Sequence, residues 1–541
     1  MSDIESEPAE KPGAPEPGAP VAAEASLGSK MRRGVLFWAL GNAASRTLRF
    51  AAQYLLVWLL VPADFGLVAM TTALMTVLQM VSEFGVGIAV IQKKDMTDGY
   101  VHTAFWMNLA ASLFILGVTW MAAPWIAGFY RAEEMTLLVR VSSLSFPITA
   151  LRTIPASLLR KRMQFGINSA LETAWNGISG VLMIVFAWLG ATYWSLIIPT
   201  MIVGFLMTPV WLSCAKWRPA FLFDRSQFRD LFHYSKHLVG ASLLSLVLSN
   251  AGFVIAGHLL GKDAAGLFNV AASYSMIVLV NYAWLIGNVS LSGFAAKQGD
   301  NEALRHGFVR LYELLLATTL PVHAIGIVLA PLLFAVFMPE SYAPALQCFQ
   351  LLLAFSAVRS MAAHVAPFYN AANKAYVNLY FFLVSTPVCV AIMYYACERG
   401  LAAGGPKAGL DALAWATAVT QSISVLAVLA VARRVLGWRD VGLVWRAVPY
   451  VFASAIGAAV AYGVSAAGGE ASFGLPARVA GFAVLVAATA SGMTVYAATL
   501  YVAARPKLAV LVRDAVPQKM RDRYVYAWIP GLRATAKSAL V

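Results

Sequence analysis

The sequence predicts an all-α polytopic membrane protein of about fourteen transmembrane helices, built as two pseudo-repeated six-helix lobes plus two C-terminal helices. Three observations carry that prediction. Over 541 residues the chain is 60% hydrophobic and only 12% charged, with a mean hydropathy of +0.70, a composition that excludes a soluble multidomain enzyme. From Gly34 to Ala504 apolar stretches of roughly 20–28 residues recur, each long enough to cross a hydrocarbon core of ~30 Å as a helix. The links between the stretches are alternately rich and poor in Lys and Arg, so span count and orientation support each other.

The elements follow in order. Residues 1–30 form an acidic, Pro/Ala/Glu-rich stretch with Asp3, Glu5, Glu7 and Glu10; it lacks the positive start of a signal peptide and large apolar residues, and is expected to be a disordered cytoplasmic tail. Residues 31–215 hold six spans, at 34–61, 66–91, 102–128, 136–158, 168–189 and 192–214. Residues 216–236, with Trp217-Arg218-Pro219, Asp224-Arg225 and Arg229, are expected to form a short amphipathic cytoplasmic linker. Residues 237–435 hold six more spans, at 233–260, 264–294, 308–338, 342–370, 374–397 and 410–434, the first of them beginning within the linker. Two additional spans, 445–467 and 475–504, occupy 436–504, and 505–541 form a basic cytoplasmic tail.

The basic links are Gln92-Lys93-Lys94, Arg160-Lys161-Arg162, Lys216 to Lys236, the Lys297/Arg305/Arg310 link, Lys374, and Arg433 to Arg446. The alternate links hold only Arg131, Lys262, Arg399, Lys407 and Arg478. The basic links therefore face the cytoplasm, and both termini of this multi-pass inner-membrane protein are expected there. The net charge of +14 is explained by anionic membrane lipids, with no nucleic acid as partner. Cys214, Cys348, Cys389 and Cys397 have no metal or redox spacing and are read as packing residues.

The two blocks echo each other. Leu59-Leu60-Val61-Pro62-Ala63-Asp64-Phe65-Gly66-Leu67 after the first span matches Leu259-Leu260-Gly261-Lys262-Asp263-Ala264-Ala265-Gly266-Leu267 after the seventh. Pro155 and Pro367 each precede a basic link. An even number of spans separates the copies, so the repeats run parallel, an architecture that places a substrate site between the halves.

The first of these motifs, continued by Val68-Ala69-Met70, resembles the first-link motif of Wzx-type polysaccharide flippases. So do Phe84-Gly85-Val86-Gly87-Ile88-Ala89-Val90-Ile91-Gln92, Thr103-Ala104-Phe105-Trp106, Pro155 to Phe165, and Tyr193-Trp194-Ser195-Leu196. The resemblance covers about residues 34–435 and is nearest the exopolysaccharide and colanic-acid branch of the multidrug/oligosaccharidyl-lipid/polysaccharide exporter superfamily. It implies two six-helix lobes around a V-shaped cavity. It also implies movement of an undecaprenyl-diphosphate-linked oligosaccharide from the cytoplasmic to the periplasmic leaflet, with a polysaccharide polymerase and a chain-length regulator as partners and with no cofactor.

Such a substrate needs positive charge and hydrogen-bonding groups facing an interior cavity, because charge facing lipid is costly. Arg46 and Arg49 share a helix face in the first span, and Arg46 lies ~18 Å along it, too deep to snorkel easily. Arg152 in the fourth span and Arg359 in the tenth complete the set of candidate diphosphate contacts. The alternative for each is a structural pair with a buried acid such as Glu83 or Glu172. Asn250, Asn281 and Asn288 are candidates for sugar hydroxyls or for interhelical bonds, and Tyr282 and Trp284 for stacking on sugar faces or for packing. Glu83 in the second span is the candidate for ion coupling or gating; the alternative is a salt bridge that holds one state. His102, His258 and His364 are assigned to helix ends or packing, and no metal site is expected.

An integral-membrane polymerase or ligase is the rival from another class, but the alternate links are short and no HExxH, GxxxxGK[ST] or GxSxG motif is present. A multidrug cation exporter would want acids where this chain has arginines. A lipid II flippase is the nearest rival, separated by motif resemblance alone.

Overall fold

The computed structural model describes residues 48, 51–83, 85–93, 97–277, 301–362, 364–365, 368–369, 376–435, 442–469 and 477–515. Among them every regular element is helical. The N-lobe comprises α1 (51–59), α2 (Pro62–Glu83), α3 (Val86–Gln92), α4 (Asp98–Tyr130), α5 (Glu134–Ser143), α6 (Ser145–Lys161), α7 (Phe165–Trp188) and α8 (Trp194–Cys214). The C-lobe comprises α9 (Arg225–Leu260), α10 (Lys262–Ser275), α11 (Asn301–Phe337), a 3-10 turn (Glu340–Ala345), α12 (Leu346–Ser360) and α13 (Tyr376–Val435). Helices α14 (Leu443–Gly469) and α15 (Ala477–Ala515) follow.

Eleven segments among the described residues are long and apolar enough to cross a bilayer. Helix α13 counts once among them, although Gly404 and Gly405 leave helical backbone angles at its middle, where the eleventh and twelfth expected spans meet. The first and eighth expected spans lie partly outside the described residues.

Helix ends follow local chemistry. Pro62 opens α2, where its missing N–H costs nothing, and the Asp64 carboxylate accepts the Val61 N–H at 3.3 Å. The Thr97 hydroxyl caps α4 by accepting the Tyr100 N–H. The Asp224 carboxylate caps α9, accepting from the Ser226 hydroxyl at 2.7 Å and N–H at 2.8 Å. Those bonds hold its carboxyl below the usual carboxylate range.

Three elements differ from the sequence expectation. The second span is not continuous: α2 stops at Glu83 and α3 restarts after Gly85, whose φ is 68°. The fourth span is divided between α5 and α6 at Leu144, three residues before Pro147. The linker over 216–236 is not a separate element. Residues 217–220 and 222–224 carry no helix, and α9 runs unbroken from Arg225 into the seventh span. Tertiary bonds hold the non-helical part. The Ala220 N–H bonds His102 Nδ1 at 3.0 Å, Trp106 Nε1 donates to the Ala220 carbonyl at 2.8 Å, and the Asp224 N–H reaches Thr103 Oγ1 at 2.9 Å. The strap thus belongs to the N-lobe.

The lobes meet at the face opposite the basic links. There one apolar cluster joins N-lobe Met70, Tyr130 and Met135 to C-lobe Ile255, Phe268 and Cys348. A second joins Leu56, Leu60 and Phe65 to Val270 and Tyr342. Towards the basic face the clusters part. Val86, Phe105 and Leu158 pack within the N-lobe together with Leu231 at the start of α9, while Phe308, Tyr312 and Phe368 pack within the C-lobe. The extra helices α14 and α15 pair with each other and both lie along α11. Their crossing brings Gly457 and Gly492 so close that a Cβ on either would sit 2.7 Å from the other's carbonyl oxygen.

Candidate functional site

The repeated motif builds the seal between the lobes. Helices α2 and α10 cross at Gly66 and Gly266, and a Cβ on Gly66 would fall inside the Lys262 carbonyl while one on Gly266 would fall inside the Pro62 carbonyl. The backbones touch in a two-fold manner, each repeat supplying what the other needs; only glycine permits that approach. Around the crossing, Lys262 Nζ pairs with Glu134 Oε1 at 2.9 Å, the Tyr342 hydroxyl donates to the Leu60 carbonyl at 2.9 Å, and His258 Nδ1–H donates to the Phe129 carbonyl at 2.8 Å. The His258 and Phe129 rings stack at 4.0 Å. All three bonds join one lobe to the other. His258 therefore sits at a helix end, as expected, but serves the seal.

The buried charges lie in the half where the lobes part. The Arg152 guanidinium lies 4.1 Å from the Trp175 ring centre and 5.7 Å from that of Trp211. Its expected acid partners are engaged elsewhere: Glu172 accepts from Arg160 at 2.9 Å and from Asn168 at 3.0 Å. Glu83 accepts from Gln79 Nε2 at 3.0 Å, on its own helix, and lies within electrostatic range of Arg152 and Arg160 without an ion pair to either. Arg359, near the end of α12, has its guanidinium 5.9 Å from the Phe355 ring centre. Among the described residues neither Arg152 nor Arg359 is paired with an acid. Both are half-buried.

The remaining candidates divide. Asn250 Nδ2 donates to the Leu246 carbonyl of its own helix at 2.8 Å. Arg46, Arg49, Asn281, Asn288, Tyr282 and Trp284 lie outside the described residues. His102 accepts from the linker strap, and His364 is buried against Phe308, so both act in packing. All four cysteines are free thiols.

The sequence reading passed over three groups. Trp175 and Trp211, which cap Arg152, carry no signal in an aromatic-rich chain. The Lys262–Glu134 pair had one: Lys262 is the lone cation of its link and sits inside the repeat. His323, buried between Thr319 and Ser356 at 2.6 and 3.2 Å, stitches α11 to α12 beneath Arg359. A cavity of about 400 Å³ at the seam, lined by Tyr54, Tyr274, Phe334, Phe337, Phe349 and Leu353, is almost wholly apolar and offers nothing to a glycan or phosphate.

In overall fold, the chain is similar to the lipid II flippase MurJ in an inward closed conformation, with a TM-score of 0.66 at 14% identity, covering 89% of this chain and 100% of that one. It is also similar to an inward-facing multidrug resistance MATE transporter of the MOP superfamily, with a TM-score of 0.56 at 14% identity, covering 73% of this chain and 96% of that one. In sequence, it is 28% identical over 254 residues to the teichuronic acid biosynthesis protein TuaB of Bacillus subtilis (strain 168), 46% of this chain and 52% of that protein. It is 24% identical over 306 residues to the succinoglycan biosynthesis transport protein ExoT of Rhizobium meliloti (strain 1021), 56% of this chain and 60% of that protein. It is 21% identical over 255 residues to the lipopolysaccharide biosynthesis protein WzxC of Escherichia coli (strain K12), 46% of this chain and 51% of that protein. The matched stretch thus spans only about half to three-fifths of these relatives. Residues 55–347, more than half of the chain and including the whole interlobe crossing, match the family described as polysaccharide biosynthesis protein, and the chain belongs to that family.

Proposed function

We propose that the protein is a flippase that moves undecaprenyl-diphosphate-linked oligosaccharide repeat units across the bacterial inner membrane by alternating access, for exopolysaccharide, capsule or O-antigen assembly. One observation carries the reading: the lobes share a core in one half of the membrane and part in the other, and the unpaired arginines lie in the parted half. With the basic links in the cytoplasm, this is a carrier sealed on the periplasmic side and open to the leaflet where lipid-linked sugars are made. Arginines in such a cavity suit a diphosphate; a cation exporter would need acids there. Glu83, bonded among the described residues only to Gln79 and close to two arginines, is suited to change partners between states and so to couple transport to an ion gradient. The downstream polymerase and chain-length regulator are the expected partners.

Reconstitution tests the reading. Proteoliposomes containing the protein are expected to translocate a fluorescent prenyl-diphosphate oligosaccharide and not lipid II. Arg359→Ala is expected to abolish translocation with normal insertion, and Arg359→Lys to retain part of it, since a point charge still meets phosphate while the bidentate fork is lost. Transport of lipid II alone would replace this reading with the lipid II reading.

A further inference from the structure

We infer that the two extra helices form a latch across the sealed face: α15, carried by the C-lobe, holds the N-lobe through Arg478 and Trp58 and releases it when that face opens. The inference rests on the alternating-access reading and gives α14 and α15 a part in it. Contacts from the start of α15 reach both lobes. On the C-lobe side it lies against the end of α11. The Phe482 and Phe337 rings meet edge to face with centres 6.1 Å apart, and a Cβ on Gly481 would sit 2.8 Å from the Val336 side chain. Its partner helix α14 also runs along α11, so the pair is fixed to the C-lobe. On the N-lobe side the Arg478 guanidinium lies 4.3 Å from the ring centre of Trp58, at the end of α1. The Tyr54 ring, one turn earlier in α1, meets the same Phe337 with centres 5.9 Å apart. Tyr54 and Phe337 also form part of the wall of the apolar cavity at the seam. The start of α15 thus lies across the joint between α1 and α11.

The charge pattern singles out Arg478. The links on this face are poor in cations, and Arg478 is the sole Lys or Arg between α14 and α15. It is exposed, and among the described residues it has no acid partner. Lys262, the sole cation of another such link, likewise crosses between the lobes, to Glu134. Both contacts need the lobes together at this face. A contact made in one state alone acts on the balance between states. Losing it raises the share of molecules open at this face, by roughly two- to fivefold for a cation over an exposed ring.

Full-length protein in nanodiscs tests this, without native cysteines and with Met135→Cys as a reporter in the buried core of the seal. Arg478→Ala is expected to raise the reactivity of that cysteine toward a hydrophilic maleimide by roughly two- to fivefold. Trp58→Leu should do the same, and the double variant should add nothing to either single one, since both remove one contact. Arg478→Lys, whose ammonium also sits over an indole, should stay near wild type. Equal reactivity in the wild-type and Arg478→Ala backgrounds overturns the latch, and so does full additivity of the two substitutions. A second measurement does not depend on the strength of the contact. In proteoliposomes, a cleavable bifunctional maleimide joining Trp58→Cys to Arg478→Cys is expected to stop translocation of the lipid-linked oligosaccharide, and cleavage to restore it. Undiminished translocation by the joined protein overturns the latch alone. Reactivity changes as expected, with no translocation by the unjoined protein, support the latch and refute the flippase reading.

Discussion

At the face opposite the basic links the two lobes share one apolar core, whereas at the basic face each lobe keeps its own, joined only by the start of α9, whose Leu231 packs in the N-lobe cluster. The sealed half is made of backbone contact, aromatic packing and hydrogen bonds to carbonyls, with the Lys262–Glu134 ion pair, whose side chains are 41% and 39% exposed, at its rim. The open half holds Arg152, Glu83, Arg160, Glu172 and Arg359. The contrast has a physical cause. The sealed half keeps its charges few and bonded, the buried Asp64 carboxylate accepting the Val61 N–H and Lys262 pairing with Glu134 at the rim, while a half that would admit a diphosphate needs charge and tolerates it only where water or substrate reaches.

The largest effect should come from breaking the seal at its closest point. Gly66→Leu or Gly266→Leu puts a side chain where a backbone carbonyl lies, and helix α2 must leave α10. Overpacking of this kind costs about 1–3 kcal/mol or more. Export should fall to background, and cysteines placed in the seal should become reactive to an impermeant thiol reagent from the face opposite the basic links. Sustained export by both variants would mean that the crossing is not the seal. The converse experiment fixes the seal shut. In a background without native cysteines, a cleavable bifunctional maleimide joining Glu134→Cys to Lys262→Cys should stop export, and cleavage should restore it.

A smaller effect is expected in the open half. Glu83→Gln keeps the bond from Gln79 and removes the charge near Arg152, so substrate binding should persist while translocation loses its dependence on the ion gradient. Normal pH and sodium dependence in proteoliposomes would make Glu83 structural.

The smallest effect belongs to the rim pair. An exposed pair of this kind is worth about 0–1 kcal/mol, so Lys262→Ala should change the opening rate by only a few fold. The bond to Glu134 raises the Lys262 ammonium above its usual range. Its contribution is therefore complete below the ordinary lysine pKa of about 10.4 and lost only as pH rises through the folded value. Between about pH 6 and 9 the Lys262–Glu134 pair should add no pH dependence to opening, measurable by comparing wild type with Lys262→Ala.

Much of this contrast was legible in the chain. The apolar runs and alternating basic links gave the polytopic helical fold, and the echo of Leu59–Leu67 in Leu259–Leu267 marked the segments that now form the crossing. Arg152 and Arg359 stood out because a charge in an apolar run is rarely idle. Two local arrangements were not legible at the same level. The linker follows tertiary bonds to His102, Trp106 and Thr103, which its charge pattern, read as a short amphipathic segment, did not reveal. Asn250 turned to the carbonyl one turn back, an option every helical Asn has.

The sequence by itself determined what each segment could be. Length and hydropathy set the spans, charge set their alternation, and glycine at 66 and 266 permitted a contact closer than any side chain allows. Only the tertiary structure decided which groups meet. Glu172 went to Arg160 and left Arg152 to Trp175; Gly66 met Gly266; and the last two helices settled along α11. A lipid bilayer exerts little hydrophobic force between one apolar helix and another, so their partners are chosen by shape and by hydrogen bonds across the interface, which a single helix pattern does not encode.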